Sequence, residues 1–228
     1  MIGIYDSGSG GLASLCVLYK KAPTADILYR GDLPNAPYGT RTKEELVPIL
    51  KENLSRFQTL GCQYVLIACM TASSIIPYLP EEEKRIVYPI IDYVGQRTVD
   101  LTKNRRVGVV STSRTMKEGR LKNYLISRGI SVTESEADAL VPLAERGQTS
   151  PEDAAVKDAV QRATEIHRRA GVDTLVLGCT HFPYFTEAFR EAMGEGVELV
   201  SSAEVGADGF LKQIPKDVLK GQGHIHFI

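Results

Sequence analysis

Apolar runs closed by glycine or a small polar residue recur along the chain: IGIY (2–5), DILYR (26–30), YVLIA (64–68), RVGVVS (106–111), TLVLG (174–178) and VELVS (197–201). Apolar side chains fill odd and even positions alike, which predicts strands covered on both faces, as in a parallel sheet. Between the runs the apolar period lengthens to that of a helix. Over 42–61, Thr42 and Glu45 fit a capping box, Leu46, Leu50, Leu54 and Phe57 share one face, and Gly61 stops the element. Pro48 is expected in or near the first turn, or else at a kink. A second helix is predicted to begin at Ser150 as N-cap with Pro151 at its first position, with Val156, Val160, Ala163 and Ala170 as its stripe. Strands alternating with helices place the chain in the α/β class.

The chain repeats itself. GCQYVLIACMT (61–71) aligns without a gap on GVDTLVLGCTH (171–181), bringing Cys69 onto Cys179, and IGIYDS (2–7) aligns on VGVVST (107–112). Two matches in the same order predict two similar parallel-sheet α/β domains related by pseudo-twofold symmetry. The expected division is 1–92 for the first, 93–203 for the second with the break near Tyr93 to Lys103, and 204–228 returning to the first.

Composition narrows the picture. The 228 residues carry a formal charge of −1 with no Lys/Arg stripe, against a nucleic-acid partner. No apolar run approaches a membrane span, and the start MIGIY has no basic-then-apolar leader, so a cytoplasmic protein is expected. The four cysteines lack zinc-site spacing and read as free thiols. Cys16 and Cys62 fall on helical stretches and read as small buried hydrophobes.

Cys69 and Cys179 differ from these, because each ends a strand and is followed by polar residues. Ligands of open α/β sheets bind beyond the carboxyl ends of strands, so facing domains would bring both thiols to one cleft. Two acid/base groups on opposite faces of one carbon suit stereoinversion, provided that a thiolate can form on one side. Asp6, ending the first strand, and His181, two residues after Cys179, are candidate proton partners. DSGSGG (6–11) offers backbone N–H groups to a carboxylate or phosphate. The same glycines fit G-x-G-x-x-A, with Asp32 at a spacing suited to a ribose, so dinucleotide binding is a competing reading that leaves the paired cysteines unexplained. His224 and His226 could form an H-x-H metal pair, but a terminal strand or tail accounts for them better, and Phe182, Tyr184 and Phe185 read as cleft wall or core.

Five ordered motifs, DSGSGG (6–11), GDLPNAPYGT (31–40), ACMTAS (68–73), VPLAERG (141–147) and LGCTHFP (177–183), together resemble the glutamate racemases, the two-cysteine branch of the aspartate/glutamate racemase superfamily. The resemblance implies two facing α/β domains, no PLP or metal, a homodimer, and supply of D-glutamate for peptidoglycan. It also implies that Cys69 and Cys179 exchange the α-proton, that Asp6, His181 and Glu145 assist, and that Asp6-Ser7, Tyr38-Gly39, Met70-Thr71 and Thr180-His181 contact glutamate. His181 stands where aspartate racemases usually carry Glu, which favours the glutamate branch. Met70 departs from the pattern: the family normally has Asn there, which can donate and accept hydrogen bonds where a thioether is only a weak acceptor. Impaired or altered activity, or aspartate as substrate, are therefore the alternatives. Ser9, in place of the commoner Val, is a milder departure.

Overall fold

The computed structural model describes residues 1–228. The chain runs β1 (Ile2–Asp6), α1 (Leu12–Lys21), β2 (Ile27–Gly31), α2 (Lys43–Thr59), β3 (Tyr64–Ile67), α3 (Met70–Ile75), α4 (Glu81–Lys84), β4 (Val87–Pro89) and α5 (Ile90–Leu101). It continues with β5 (Arg106–Ser111), α6 (Ser113–Glu118), α7 (Arg120–Ile126), β6 (Ser131–Glu136), α8 (Leu140–Glu145), α9 (Ala154–Arg169), β7 (Thr174–Gly178), α10 (Thr186–Met193), β8 (Glu198–Ser201), α11 (Ser202–Gln213) and β9 (Ile225–Phe227). Two sheets result, β4-β3-β1-β2-β9 and β6-β5-β7-β8, and every pairing in both is parallel.

The internal repeat is a repeat of architecture. Read from the other edge, the first sheet is β2-β1-β3-β4 with β9 added beyond β2, which is the strand order of the second. The register agrees too: Ile2 lies opposite Tyr64 and Val107 opposite Thr174, the same residues that the sequence alignment equates. Gly61 and Gly171, also equated, both have positive φ after their helices. In each half a central-strand glycine leaves room for a ring from a later helix of the same half. A Cβ on Gly3 would come within 2.7 Å of Phe57, and one on Gly108 within 2.7 Å of His167.

Local rules set the helix boundaries. Thr42 caps α2 through a complete capping box with Glu45, and Pro48 is accommodated inside the helix beyond its first turn. The expected start of the later helix is corrected. Ser150 and Pro151 lie in a turn in which Ser150 Oγ accepts the Glu152 N–H, and α9 begins only after Asp153, whose carboxylate accepts the Ala155 N–H at 2.8 Å. An anionic side chain at the positive end of the helix outcompetes a neutral hydroxyl nearby. Cys16 is also corrected: it sits exposed on α1, where Leu15 and Leu18 take the buried face. Cys62 is buried as expected, but in the turn after α2 rather than on a helix.

The sheets are joined through helices. One apolar cluster runs from Ile2 and Ile4 in the first sheet, through Ile90, Ile91 and Val94 of α5 and Phe210 of α11, to Val109 and Val176 in the second. The region expected to hold the break near Tyr93 is thus largely α5, packed against α11. After α11 the chain returns and adds β9 beside β2, so His226 lies on a strand, and no third ligating side chain gathers with it and His224. No helix is long and apolar enough to cross a membrane.

His167 occupies the place of an aromatic core residue, fully buried, with Nδ1 2.7 Å from Thr133 Oγ1 and Nε2 2.8 Å from Ser135 Oγ. Burial pushes its pKa down to about 4. Since an unfolded imidazole titrates at about 6.5, the unfolded chain takes up this proton first. The contribution to stability is intact above pH 6.5 and is lost as the pH falls towards 4. Urea midpoints measured between pH 7 and 4 should show a loss on the order of 3 kcal/mol from this group. His167→Gln should flatten that dependence; an equally steep decline in the variant would show that other groups cause it.

Candidate active site

Strand ends from both halves surround a cavity of about 580 Å³. Ser7 and Gly8 follow β1, Tyr38 and Gly39 come from the loop after β2, and Cys69, Met70 and Thr71 follow β3. From the other half come Thr112 after β5, Glu145 and Arg146 at the end of α8, and Cys179, Thr180 and His181 after β7. All the sequence-derived site residues except Asp6 line it.

Asp6 lies beneath the wall with no exposed surface. Its carboxylate accepts the Gly8 N–H at 3.0 Å and the Thr180 hydroxyl at 3.1 Å, so it ties the first half to the second. Burial pushes its pKa up, opposed mainly by His181. The close approach that makes this bond depends on Gly10, where a Cβ would come within 2.5 Å of Thr180 Oγ1 and 2.8 Å of His181 Nδ1. Asp6 makes no hydrogen bond to Cys69 and bears on it through its charge.

The two thiols have unlike surroundings. Cys69 caps α3: its Sγ accepts the Ala72 N–H at 3.4 Å and donates to Ser7 Oγ at 3.4 Å. Cys179 has His181 Nδ1 at 3.8 Å, and His181 Nε2 lies 2.6 Å from Glu145 Oε1. A carboxylate can only accept, so Nε2 carries a hydrogen, and in the neutral ring Nδ1 is the acceptor that faces the thiol. Glu145 Oε1 also accepts from Ser9 Oγ at 3.0 Å, a further bond between the halves. Burial dominates both thiols. Cys69 is pushed up to about 11, with the Asp6 charge adding to the shift, and Cys179 is pushed higher still.

Three residues occupy places that the sequence does not specify. Tyr38 is expected as a substrate contact, yet its hydroxyl points into a buried network, bonded to Tyr5 and donating to Asp32. Its ring and backbone remain for the cavity. Asp32 is fully buried and also accepts from Asn35 and Asn53, so the carboxylate that the dinucleotide reading needs is already satisfied within the fold. Met70 is 1% exposed and packs into the apolar cluster with Ile90 and Ile91, although it also borders the cavity.

Thr112 lines the cavity and was missed by sequence reasoning, as was Thr115, which braces it. Their hydroxyls lie 3.0 and 3.1 Å from Thr71 Oγ1, forming a buried cluster across the two halves. The signal for Thr112 was present, because the repeat equates VGVVST with IGIYDS and so Thr112 with Ser7.

Two like α/β halves that each place a thiol on a shared cavity form the architecture of an amino-acid racemase of the α/β type. Residues 19–209 match the Asp/Glu/Hydantoin racemase family. The chain is 36% identical over 220 residues to a glutamate racemase from Corynebacterium diphtheriae, covering 93% of this chain and 80% of that one. The structure resembles glutamate racemase isoform RacE1 from Bacillus anthracis, with a TM-score of 0.89, 27% identity and coverage of 100% and 86% of the two chains. It also resembles glutamate racemase from Campylobacter jejuni, with a TM-score of 0.87, 27% identity and coverage of 100% and 91%. The chain belongs to the Asp/Glu/hydantoin racemase family.

The thiol environments can be read directly by alkylation. In the ligand-free protein, peptide mapping after iodoacetamide treatment should show exposed Cys16 modified first. Cys69 should follow with a rate that rises about tenfold per pH unit from 7 to 10, as the thiolate fraction does. A Cys69 midpoint below pH 8 would mean that the neighbouring N–H and hydroxyl groups outweigh burial.

Proposed function

We propose that this protein interconverts L- and D-glutamate by a cofactor-independent transfer of the α-proton between Cys69 and Cys179, supplying D-glutamate for peptidoglycan in the cytoplasm. The observation that carries this reading is the pair of thiols at equivalent strand ends of the two halves, both on one cavity. The glutamate racemases among its relatives support glutamate as substrate.

In this reaction one cysteine, as thiolate, takes the proton from Cα. The electron pair left on Cα is delocalised into the carboxylate, and the opposite thiol donates its proton to the other face. The amino acid leaves inverted and the two cysteines have exchanged protonation states, so one proton is taken and one is given. His181, held by Glu145, positions and receives the proton of Cys179. Ser7 and the Ala72 N–H stabilise the thiolate of Cys69. Thr71 and Thr112, braced by Thr115, supply hydroxyls for a carboxylate, while Thr180, whose hydroxyl hydrogen goes to Asp6, is left to accept from the substrate's ammonium group.

Incubation with L-glutamate in D2O should give α-deuterium incorporation and decay of optical rotation, and Cys69→Ser or Cys179→Ser should abolish the rotation change. Exchange with aspartate in place of glutamate would assign the sibling activity, and exchange with neither would end the racemase reading.

Met70 offers no hydrogen-bond donor to a charged substrate. Met70→Asn should raise kcat/KM roughly tenfold, the effect of one hydrogen bond to a charged group. It should also lower the urea midpoint, because the amide replaces a side chain packed in the core. An unchanged or lower kcat/KM would show that Met70 serves packing alone.

A further inference from the structure

Arg146 is the one Lys or Arg side chain on the cavity wall, and it is unspent. It follows Glu145 as the C-cap of α8, lies exposed, and its only side-chain hydrogen bond is from Nε to Gln148 Oε1 at 2.8 Å. No carboxylate lies within ion-pair distance of its guanidinium, whereas Arg41 and Arg114, on the loop after β2 and on α6, are paired with Glu45 and Glu118. The other charged walls are negative. Glu145 is engaged with His181 and Ser9, Asp138 accepts from Ser113, and Asp6 is buried behind the wall. A dicarboxylic amino acid carries a net negative charge at neutral pH, so these walls repel it unless a cation at the mouth offsets them.

Depth determines which of its carboxylates meets Arg146. The thiols are 4% and 8% exposed, so the reacting carbon and its α-substituents go to the bottom of the cavity. The side chain of the substrate then points outward, towards the exposed end of α8. We infer that Arg146 recruits the substrate by pairing with its side-chain carboxylate at the cavity mouth, with a dicarboxylate rather than a neutral amino acid as the ligand class. This assignment rests on the proposed racemase reading and deepens it. Arg146 also borders a second cavity of about 390 Å³, so its exposed side chain has room to turn towards the mouth.

The test is steady-state kinetics of wild type, Arg146→Gln and Arg146→Lys with both glutamate enantiomers across an ionic-strength series. Arg146→Gln should raise KM for both enantiomers roughly fivefold at low salt, the scale of an exposed ion pair, with the loss confined to KM. The salt dependence of kcat/KM should flatten in that variant, and Arg146→Lys should retain most of the wild-type behaviour. An unchanged KM at low salt, or a fall in kcat with KM unchanged, would overturn the assignment; the latter would mean that the substitution acts through Glu145. Absence of α-deuterium exchange in the wild type would instead overturn the racemase reading. Calorimetric titration of glutamate into wild type and Arg146→Gln would still decide the role of Arg146, with equal affinities counting against it.

Discussion

A carboxylate with no access to water holds the two halves of this protein together at the site. Asp6 ends an interior strand of the first sheet, and the hydroxyl that satisfies it, from Thr180, follows an interior strand of the second. Removing a carboxylate from water costs several kcal/mol unless hydrogen bonds and nearby charges replace hydration. Part of the replacement comes from the opposite half, so Asp6 is compensated only when the halves are closed on each other. Closure in turn requires that nothing larger than hydrogen project from Gly10 towards Thr180 and His181. Once those conditions are met, Cys69 and Cys179 border one cavity and His181 stands beside Cys179.

The repeat supplies the scaffold, and the differences between its copies supply the chemistry. Strand order, register and the glycine under each helix ring are shared, yet the ring is Phe57 in one half and His167 in the other. At the strand ends the contrast is sharper. Cys69 is served by a helix N-terminus and a serine, Cys179 by an imidazole held by a glutamate. In the proposed reaction this asymmetry carries no thermodynamic penalty. Enantiomers are equal in free energy, so kcat/KM must be equal in the two directions however unlike the two thiols are. Only the balance between bound states is free to differ.

Most of the scaffold could be read from the residues, because buried parallel strands leave an unbroken apolar run and because the repeat aligns Cys69 with Cys179 without a gap. What escaped reading depends on directions that a linear pattern does not carry. Cys16 lies outward because its neighbours Leu15 and Leu18 define the buried face of α1. The Tyr38 hydroxyl turns inward because Asp32 and Tyr5 compete for it with any ligand. Thr115 reaches Thr71 only because α6 of the second half packs against α3 of the first, a contact between residues 44 positions apart. Met70 was legible as unusual. That its thioether packs with α5 while bordering the cavity was not, since both surroundings are made by distant parts of the chain.

The electrostatics of the site bear on when a thiolate can exist. In the ligand-free cavity burial keeps both thiols protonated at neutral pH, and the nearby Asp6 charge opposes ionisation of either. Protonated, buried thiols are poor nucleophiles, so the resting site is protected from alkylation and oxidation. An amino-acid substrate changes the balance because it brings an ammonium group into the same low-dielectric space. An opposite charge within a few ångströms favours the ionised form of a thiol, by the same physics that lowers the pKa of an acid beside an arginine. Under the proposed mechanism the base is therefore made by the arrival of the molecule it deprotonates. Cys69, with two hydrogen-bonding partners and the smaller upward shift, is the thiol that ionises more readily. In the same proposal Cys179 would reach that state by passing its proton to His181, whose opposite nitrogen is fixed by Glu145. Each thiol thus needs its own route to the thiolate, and the unlike neighbours of the two cysteines are the physical form of that requirement.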